Sequence, residues 1–461
     1  MTRHLQHART AGLGVLATAA ALTITSCRSD KLLEVQTPDQ ITLDKVNSAA
    51  GAQAQRVAAL GNFSTFIGGD VSGSGVGLNV ASGMLADEII SARGGTEHID
   101  SRAQNDASFP SSAWTWVGQT STQIIRAIAA LNKYPPAGAT KATQIGQLYA
   151  LQGFTLVITA EIYCNGIPIG TGDDAKLGST TYSNIELFTK AIPQFDSALA
   201  TLGAADMNLR YLARVGKARA LVDLAKTASL QADLAAAAAL VGTGGDGAGS
   251  LAVPTDFVYN VEFSKTSIVN AVYDWMVATP NFGPSDREGT NGLDYVSSRD
   301  PRIPISRNAD GTPKVKAGQD ATPIFTTTVY PTGDAPLPLA TGIEARLIEA
   351  EAALAAGNSV TYLAKVNEPR LAKGYLPLGD PLTPSARQDL LFRERAFWFY
   401  LTAHRVGDLR RLIRVYGRNA ETVFPTGAYF KGGAYGTDVN LKPSQAEQNN
   451  PNWKACTDRN A

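Results

Sequence analysis

Residues able to perform chemistry are sparse in this chain of 461 residues, and their spacing argues for recognition over catalysis. Of the 4 histidines, His4 and His7 fall near the start, which leaves His98 and His404 far apart in sequence. No His-Glu-x-x-His, Gly-x-Ser-x-Gly, Walker or Cys-x-x-Cys pattern is present. Glu97-His98-Ile99-Asp100 is a weak metal or acid/base signal. A glycosidase carboxylate pair needs only proximity in space, so the presence of 41 acidic residues says nothing for or against one. The expectation is a protein with no catalytic residues, no metal and no cofactor. Recognition chemistry is better represented. Sugar rings present C–H faces, and exposed aromatic rings helped by amides and arginines suit them. Trp275, Phe282, Tyr295 and Tyr330 lie in an irregular stretch, with Arg287, Asn291 and Asp294 among them. Rings in loops are better pocket residues than rings on helix stripes. The competing reading makes these rings the core of their own half of the protein, and Trp275 most of all, because it sits on an expected short helix. A second candidate surface runs from Phe66 to His98 and includes Asp70, Asn79, Asp87 and Glu88.

The cysteines address location. Arg3, His4, His7 and Arg9 precede an apolar segment from Ala11 to Ile24, with small residues at its end. This is the pattern of a secretory signal, and Ile24-Thr25-Ser26-Cys27 is similar to a bacterial lipobox. The expected organisation is a lipoprotein signal over 1–26, a lipidated Cys27 opening an extended tether over 27–40, and one body over 41–461. The apolar segment is too short to span a bilayer as a helix, which needs about 20 residues. Loss of 1–26 removes Arg3 and Arg9 and leaves 39 basic against 41 acidic residues, so nucleic acid is not an expected partner. With Cys27 acylated, Cys164 and Cys456 remain as a pair in an oxidising compartment and are expected to form a disulfide. Such a closure contributes on the order of 5 kcal/mol in the chain-entropy model. Two separate buried thiols are the alternative.

The elements read as mainly α. Asp44 is placed to cap a helix from Lys45 to Leu60, and a second helix is expected around Leu78 to Ser91. Long helices follow over Ala113 to Lys133 and Lys141 to Tyr163, then over Ser183 to Leu202, Leu209 to Ala228 and Ala232 to Leu240. Short joining loops make neighbours antiparallel hairpins of the tetratricopeptide kind, although the full repeat signature is absent. An irregular insert over about 242–340 is rich in Gly, Pro, Thr and Asp, with a short helix at Val272 to Met276. Helices return over 341–416, in the stretches Thr341 to Gly357, Val360 to Ala372, Pro384 to Tyr400 and Arg405 to Tyr416. The Gly/Asn/Pro-rich tail over 417–461 is expected at the surface. Arg393, Glu394, Arg395, Arg405, Asp408, Arg410 and Arg411 read as interhelix salt bridges and solvated faces rather than a phosphate site. Trp114, Trp116 and Trp398 read as packing residues, and Trp453 as an anchor for the tail.

Several segments together resemble the RagB/SusD family of outer-membrane lipoproteins. They are Cys27 with Lys31-Leu32-Leu33-Glu34-Val35 and Pro38-Asp39, the helix Ile343-Glu344-Ala345-Arg346-Leu347-Ile348-Glu349-Ala350-Glu351-Ala352, Asn367 to Arg370, Arg393-Glu394-Arg395-Ala396, and His404-Arg405-Val406-Gly407-Asp408-Leu409-Arg410-Arg411. Asn291 to Tyr295 and Asp300-Pro301-Arg302 are similar to family patterns on the ligand side. One departure is visible: Thr402-Ala403 stands where the family usually has Glu-Gly, which removes one acid from the charged cluster. The resemblance implies a helical scaffold with a less regular ligand-binding half, anchored at the cell surface as a lid on a SusC-like TonB-dependent transporter. It also implies binding of a nutrient oligomer, an oligosaccharide or a peptide, without chemistry. A helical-repeat scaffold for protein contacts and a secreted glycoside hydrolase are the other readings.

Overall fold

The structure is a computed structural model that describes residues 43–71, 75–104, 111–138, 140–170, 180–247, 249–450 and 452. The signal segment, Cys27, the tether, Trp453 and Cys456 lie outside the described residues. Among the described residues are fourteen α-helices and eight short strands. None of these helices is long and apolar enough to cross a membrane. A single turn, α1 (Leu43–Val46), precedes a unit that runs from Val46 to the chain end.

Antiparallel hairpins form the scaffold of that unit. They are built from α2 (Ala49–Gly68), α5 (Ser111–Lys133), α6 (Thr140–Ile162), α7 (Asn184–Thr201), α8 (Met207–Leu224) and α9 (Leu230–Val241), which pack as α2 on α5, α5 on α6, α6 on α7, α7 on α8 and α8 on α9. Local chemistry sets the ends. Ser48, not Asp44, caps α2 by accepting from Gly51 N at 3.0 Å, so the helix starts later than expected and runs on to Gly68. Ser183 and Glu186 form a reciprocal capping box at α7. Gly153 and Gly216 let α6 and α8 close on the Phe195 ring, which a Cβ at either position would strike.

The second helical group contains α10 (Gly342–Ala355), α11 (Ser359–Ala372), α12 (Pro384–Trp398) and α13 (Arg405–Arg414), with a short α14 (Ala420–Val423) after it. Thr341 caps α10, and Pro384 occupies the first turn of α12 behind the Thr383 cap. The expected second helix is cut short. It becomes α3 (Leu78–Leu85), because the chain then extends into β1 (Ile89–Ser91) before α4 (Glu97–Asp100). Strands β2 (Ile167–Pro168) and β3 (Thr181–Tyr182) pair with each other.

One strand pairing ties the insert to chain that precedes it, and two others close the insert on itself. β4 (Val258–Val261) pairs with β8 (Leu337–Thr341), β5 (Phe282–Pro284) pairs with β1, and β6 (Val315–Ala317) pairs with β7 (Pro323–Phe325). The short helix near Val272 is a π-helical turn, Tyr273–Ala278.

Two expectations are corrected here. The charged run on α12 and α13 does form the expected interhelix salt bridges, but apart from half-buried Arg393 it is not a solvated face: Glu394, Arg395, Arg405, Asp408, Arg410 and Arg411 are all buried. Arg395 pairs with Asp408 at 2.8 Å, Arg411 with Glu351 at 3.0 Å, and Arg405 with Asp87 at 2.6 Å. Arg410 donates to Ala160 O, Glu161 O and Tyr163 O and so satisfies the carbonyl end of α6. The described part of the tail is not simply surface either. Phe424, Val439 and Leu441 are buried, and Leu441 exchanges backbone hydrogen bonds with Ile162 O and Cys164 N. Buried Arg102 reaches Asp438 O at 2.8 Å and Pro425 O at 2.5 Å, because the tail supplies the acceptors that this guanidinium needs.

Glu88 lies in the same interior with Leu401 N–H as the donor to one carboxylate oxygen. Burial pushes its carboxyl up to about 8, outweighing that N–H and the nearby Arg405. Its folded value thus lies above its unfolded value. Between about pH 4.5 and 8 the unfolded chain releases this proton and the folded chain keeps it, so stability falls as pH rises through that window. Glu88→Gln, which mimics the protonated acid, is expected to make the fall between pH 5 and 8 shallower by on the order of 2 kcal/mol in urea unfolding; an unchanged slope would contradict the assignment.

Candidate ligand-binding site

The two surfaces read separately from the sequence meet at Trp275. Pairing of β1 with β5 places Ser91 opposite Phe282, and Ala92 N continues the ladder to Asn281 O at 2.8 Å. Arg93 is thereby carried to the π-helical turn, with its guanidinium 4.4 Å from the Trp275 ring centroid. The indole N–H points at Asp70 O, 3.4 Å away. Asp70 sits in a tight loop closed by the Gly69–Val76 bridge and by Asp70 N donating to Gly75 O at 3.0 Å. Gly69, at φ +85°, and Gly75 permit this closure, because a Cβ on Gly75 would strike Asp70 itself.

The turn is wide by construction. Thr279 N donates to Asp274 O at 2.7 Å, and Asn281 N to Trp275 O at 2.7 Å. Such π-turns interrupt regular helix and recur at functional sites. Buried Asn270 fixes the start of the turn, accepting from Val272 N at 3.0 Å and donating to Ala335 O at 2.8 Å. Trp275, Tyr273, Asp274, Arg93 and Asp70 are all half-buried. Burial raises the Asp274 carboxyl above its ordinary value. The corner therefore offers an aromatic ring, a guanidinium and carboxyl groups at a partly exposed edge. These groups match the C–H faces and hydroxyls of a saccharide. Among the described residues no cluster of three or more His, Cys, Asp or Glu could hold a metal ion.

The remaining sequence candidates are placed elsewhere. Phe282, Tyr295 and Tyr330 are buried and present no ring face to solvent. Tyr295 packs 5.1 Å from Phe397 and 5.2 Å from Tyr400, and Tyr330 donates to Leu401 O at 3.3 Å. These rings serve the core: Tyr330 spends its hydroxyl and Tyr295 its ring face on the segment that joins α12 to α13, and Phe282 is enclosed within the β1–β5 pairing. Asn291 ties the insert to the tail through Phe424 O at 2.7 Å. Asp294 pairs with Arg393 at 2.7 Å, and although burial opposes it, that guanidinium holds the carboxyl below its usual range. Arg287 is exposed, with its backbone N–H bound to Leu293 O. Of the four residues named on the second surface, Asn79, Asp87 and Glu88 are buried, and Asp70 reaches the Trp275 corner. Arg93 was missed, since nothing in its own neighbourhood of sequence points to a tryptophan so far along the chain.

No family model matches the sequence, and no curated protein matches it. Solved structures do match. A SusD superfamily protein from Parabacteroides distasonis superposes with a TM-score of 0.64 at 12% identity, over 90% of this chain and 99% of that one. The surface glycan-binding protein A from Bacteroides uniformis gives 0.62 at 13% identity, covering 88% and 98%. A laminarin-binding SusD-like protein gives 0.62 at 12% identity, covering 88% and 99%. This chain shares its fold with these solved structures.

Core and platform rings differ in energetic consequence. Phe282→Ala is expected to cost about 3–5 kcal/mol in urea unfolding, whereas Trp275→Ala, at a half-buried edge, is expected to cost below about 2 kcal/mol. Equal losses would place Trp275 in the core with the others.

Proposed function

We propose that this chain is a non-catalytic glycan-binding member of the SusD group, with Trp275 and Arg93 at the heart of its ligand site. The observation that carries the reading is the partly exposed Trp275 ring held beside the Arg93 guanidinium on a π-turn, in a fold shared with proteins described as glycan-binding and laminarin-binding. An oligosaccharide would stack a C–H face on the indole and direct its hydroxyls to Arg93, Asp70 and Asp274. A glycan array probed with the purified protein, with laminarin as the first soluble ligand, tests it. Wild type is expected to bind at least one glycan, and Trp275→Ala and Arg93→Ala to weaken that binding by tenfold or more with unchanged circular dichroism. Binding to peptides alone, or undiminished glycan binding by Trp275→Ala, would overturn it.

The cellular setting proposed with this function is an outer-membrane surface lipoprotein, acylated at Cys27, that delivers its ligand to a SusC-like TonB-dependent transporter. The lipobox-like segment and the SusD fold support it. We further propose that Cys164 pairs with Cys456. Cys164 is fully buried at the end of α6, and its N–H binds Leu441 O at 3.0 Å, which brings the tail alongside. Non-reducing peptide mass spectrometry of the membrane-extracted protein is expected to find an acylated Cys27 peptide, a Cys164–Cys456 crosslink and a co-purifying barrel protein. A free Cys164 thiol or an unmodified Cys27 would remove the corresponding claim.

A scaffold for protein contacts is the second reading. It is favoured by the exposed apolar side chains Val360, Leu371, Leu376 and Leu382 on and beyond α11, 59–82% accessible.

A further inference from the structure

We infer that the open cleft between α2, α6 and β4 is a second binding site, separate from the Trp275 corner, for an uncharged amphiphile of one to two rings that carries a hydrogen-bond acceptor. The cleft holds about 280 Å³ and is walled by Val57, Leu60, Leu151, Val261, Phe263 and Ile268. Single-ring benzene fits a dry cavity of about 150 Å³, so this space suits a body of up to two rings and is too small for a helix or strand of a partner protein. An apolar lining with a few placed polar groups is the usual make-up of a small-molecule site.

The polar groups at one end have a fixed direction. Arg56 Nη2 donates to Gln147 Oε1 at 2.6 Å, and Gln147 Nε2 donates to the Tyr259 hydroxyl oxygen at 2.8 Å. Arginine can only donate, so it fixes which way the Gln147 amide faces, and the amide in turn uses the Tyr259 oxygen as an acceptor. The Tyr259 hydroxyl hydrogen then has no acceptor among the described residues, although both Gln147 and Tyr259 line the cleft. A register irregularity between Tyr259 and Asn260 breaks the β4–β8 ladder at this point, and such irregularities re-aim side chains. Burial pushes the phenol above its ordinary value, so it remains a donor across the physiological range.

Space and charge restrict the ligand further. At Gly61 a Cβ would stand 2.6 Å from Ile268 Cδ1, so the glycine lets the Ile268 side chain lie against α2 as one wall. Arg56 lies behind Gln147 at the donor end, and exposed Glu262 lies on the lining. Opposite charges flank the slot, which favours a molecule with no net charge. The lining is mainly apolar, with Ser64, Asn260, Ser264 and Ser267 as its other uncharged polar side chains, so a ketone, ester or ether that meets the Tyr259 donor suits it better than a polyhydroxylated sugar, most of whose hydroxyls would lose water without replacement.

Butyrophenone and propylbenzene are suitable probes, since they share the ring and differ in the carbonyl. Saturation-transfer NMR titration of the full mature protein is expected to show saturable butyrophenone binding. Tyr259→Phe is expected to weaken butyrophenone by fivefold or more and to leave propylbenzene within twofold. Gln147→Met, which frees the Tyr259 oxygen, gives a second readout and is expected to lower the preference for butyrophenone as well. Val57→Trp, at an exposed rim position of α2, is expected to block both probes. Absence of saturable butyrophenone binding, equal binding by Val57→Trp, or equal loss of both probes in Tyr259→Phe would overturn the inference. Glycan binding at Trp275 is expected to be unaffected by Val57→Trp, so failure of either site is read independently.

Discussion

The guanidinium of Arg411 is buried among Glu351 at 3.0 Å, Asp408 at 3.1 Å and Asp223 at 3.5 Å, and the second helical group is built around satisfying it. Asp408 is shared with Arg395 at 2.8 Å. Burial opposes its charge, but the two arginines outweigh that and hold its carboxyl down at about 2. Further into the hairpins, Arg219 pairs with Glu161, and its Nη1 lies 2.8 Å from His404 Nε2. Arginine only donates, so His404 accepts there, is neutral, and turns its proton at Nδ1 toward Thr402. Charges buried in this way add little net stability over an apolar core. Removing one partner is another matter, since it strands an uncompensated charge at about 3–5 kcal/mol. The network therefore acts as a lock: α6, α8, α10, α12 and α13 fit together in the one arrangement that pairs every member.

That lock extends to the face proposed to bind ligand. Arg405, at the start of α13, holds Asp87 through two contacts at 2.6 and 2.9 Å. Asp87 also accepts from Leu293 N at 3.0 Å, which fixes the insert against the same point. Two residues after Asp87 the chain enters β1, and the β1–β5 ladder delivers Arg93 to Trp275. The platform is thus carried by a rigid line from the ion network and not by a free loop. Less entropy is then lost when a ligand is bound.

The helices were legible because their signals are local. Thr341 and Pro384 announced α10 and α12 by composition alone, and the apolar spacing of α5 through α9 located the hairpins to within a few residues. The strands were not legible. β1 and β5 have three residues each, too few for an alternating pattern, and they pair only because the scaffold presents one to the other. Trp275 was one of four candidate rings and, on an expected short helix, the one that read most strongly as core; its partner Arg93 is specified by that long-range ladder. For the charged run on α12 and α13 the expected interhelix salt bridges are present, but the expected solvated faces are not, for a similar reason. Helical spacing shows which residues share a face, and it is silent on whether the facing surface is water or a matching set of carboxylates on α6, α8 and α10.

The same argument explains why most ring candidates became core. The segment joining α12 to α13 contains Leu401 at φ +56° and Ala403 at φ +64°, a left-handed backbone that costs a non-glycine residue roughly 1–2 kcal/mol. Ala403 is the position where a glycine would relieve the clash, and the family resemblance places one there. Such strain persists only where the surroundings over-determine it. Here Glu88 takes the Leu401 N–H, Tyr330 binds the Leu401 carbonyl, Tyr400 reaches Glu88 O at 3.1 Å, and Tyr295 packs on Tyr400. Thr402 replaces the missing acid with a hydroxyl 2.8 Å from His404 Nδ1 and 2.6 Å from Phe399 O. Tyr295 and Tyr330 therefore hold a strained connection in place, and of the four candidate rings Trp275 is the one left half-open.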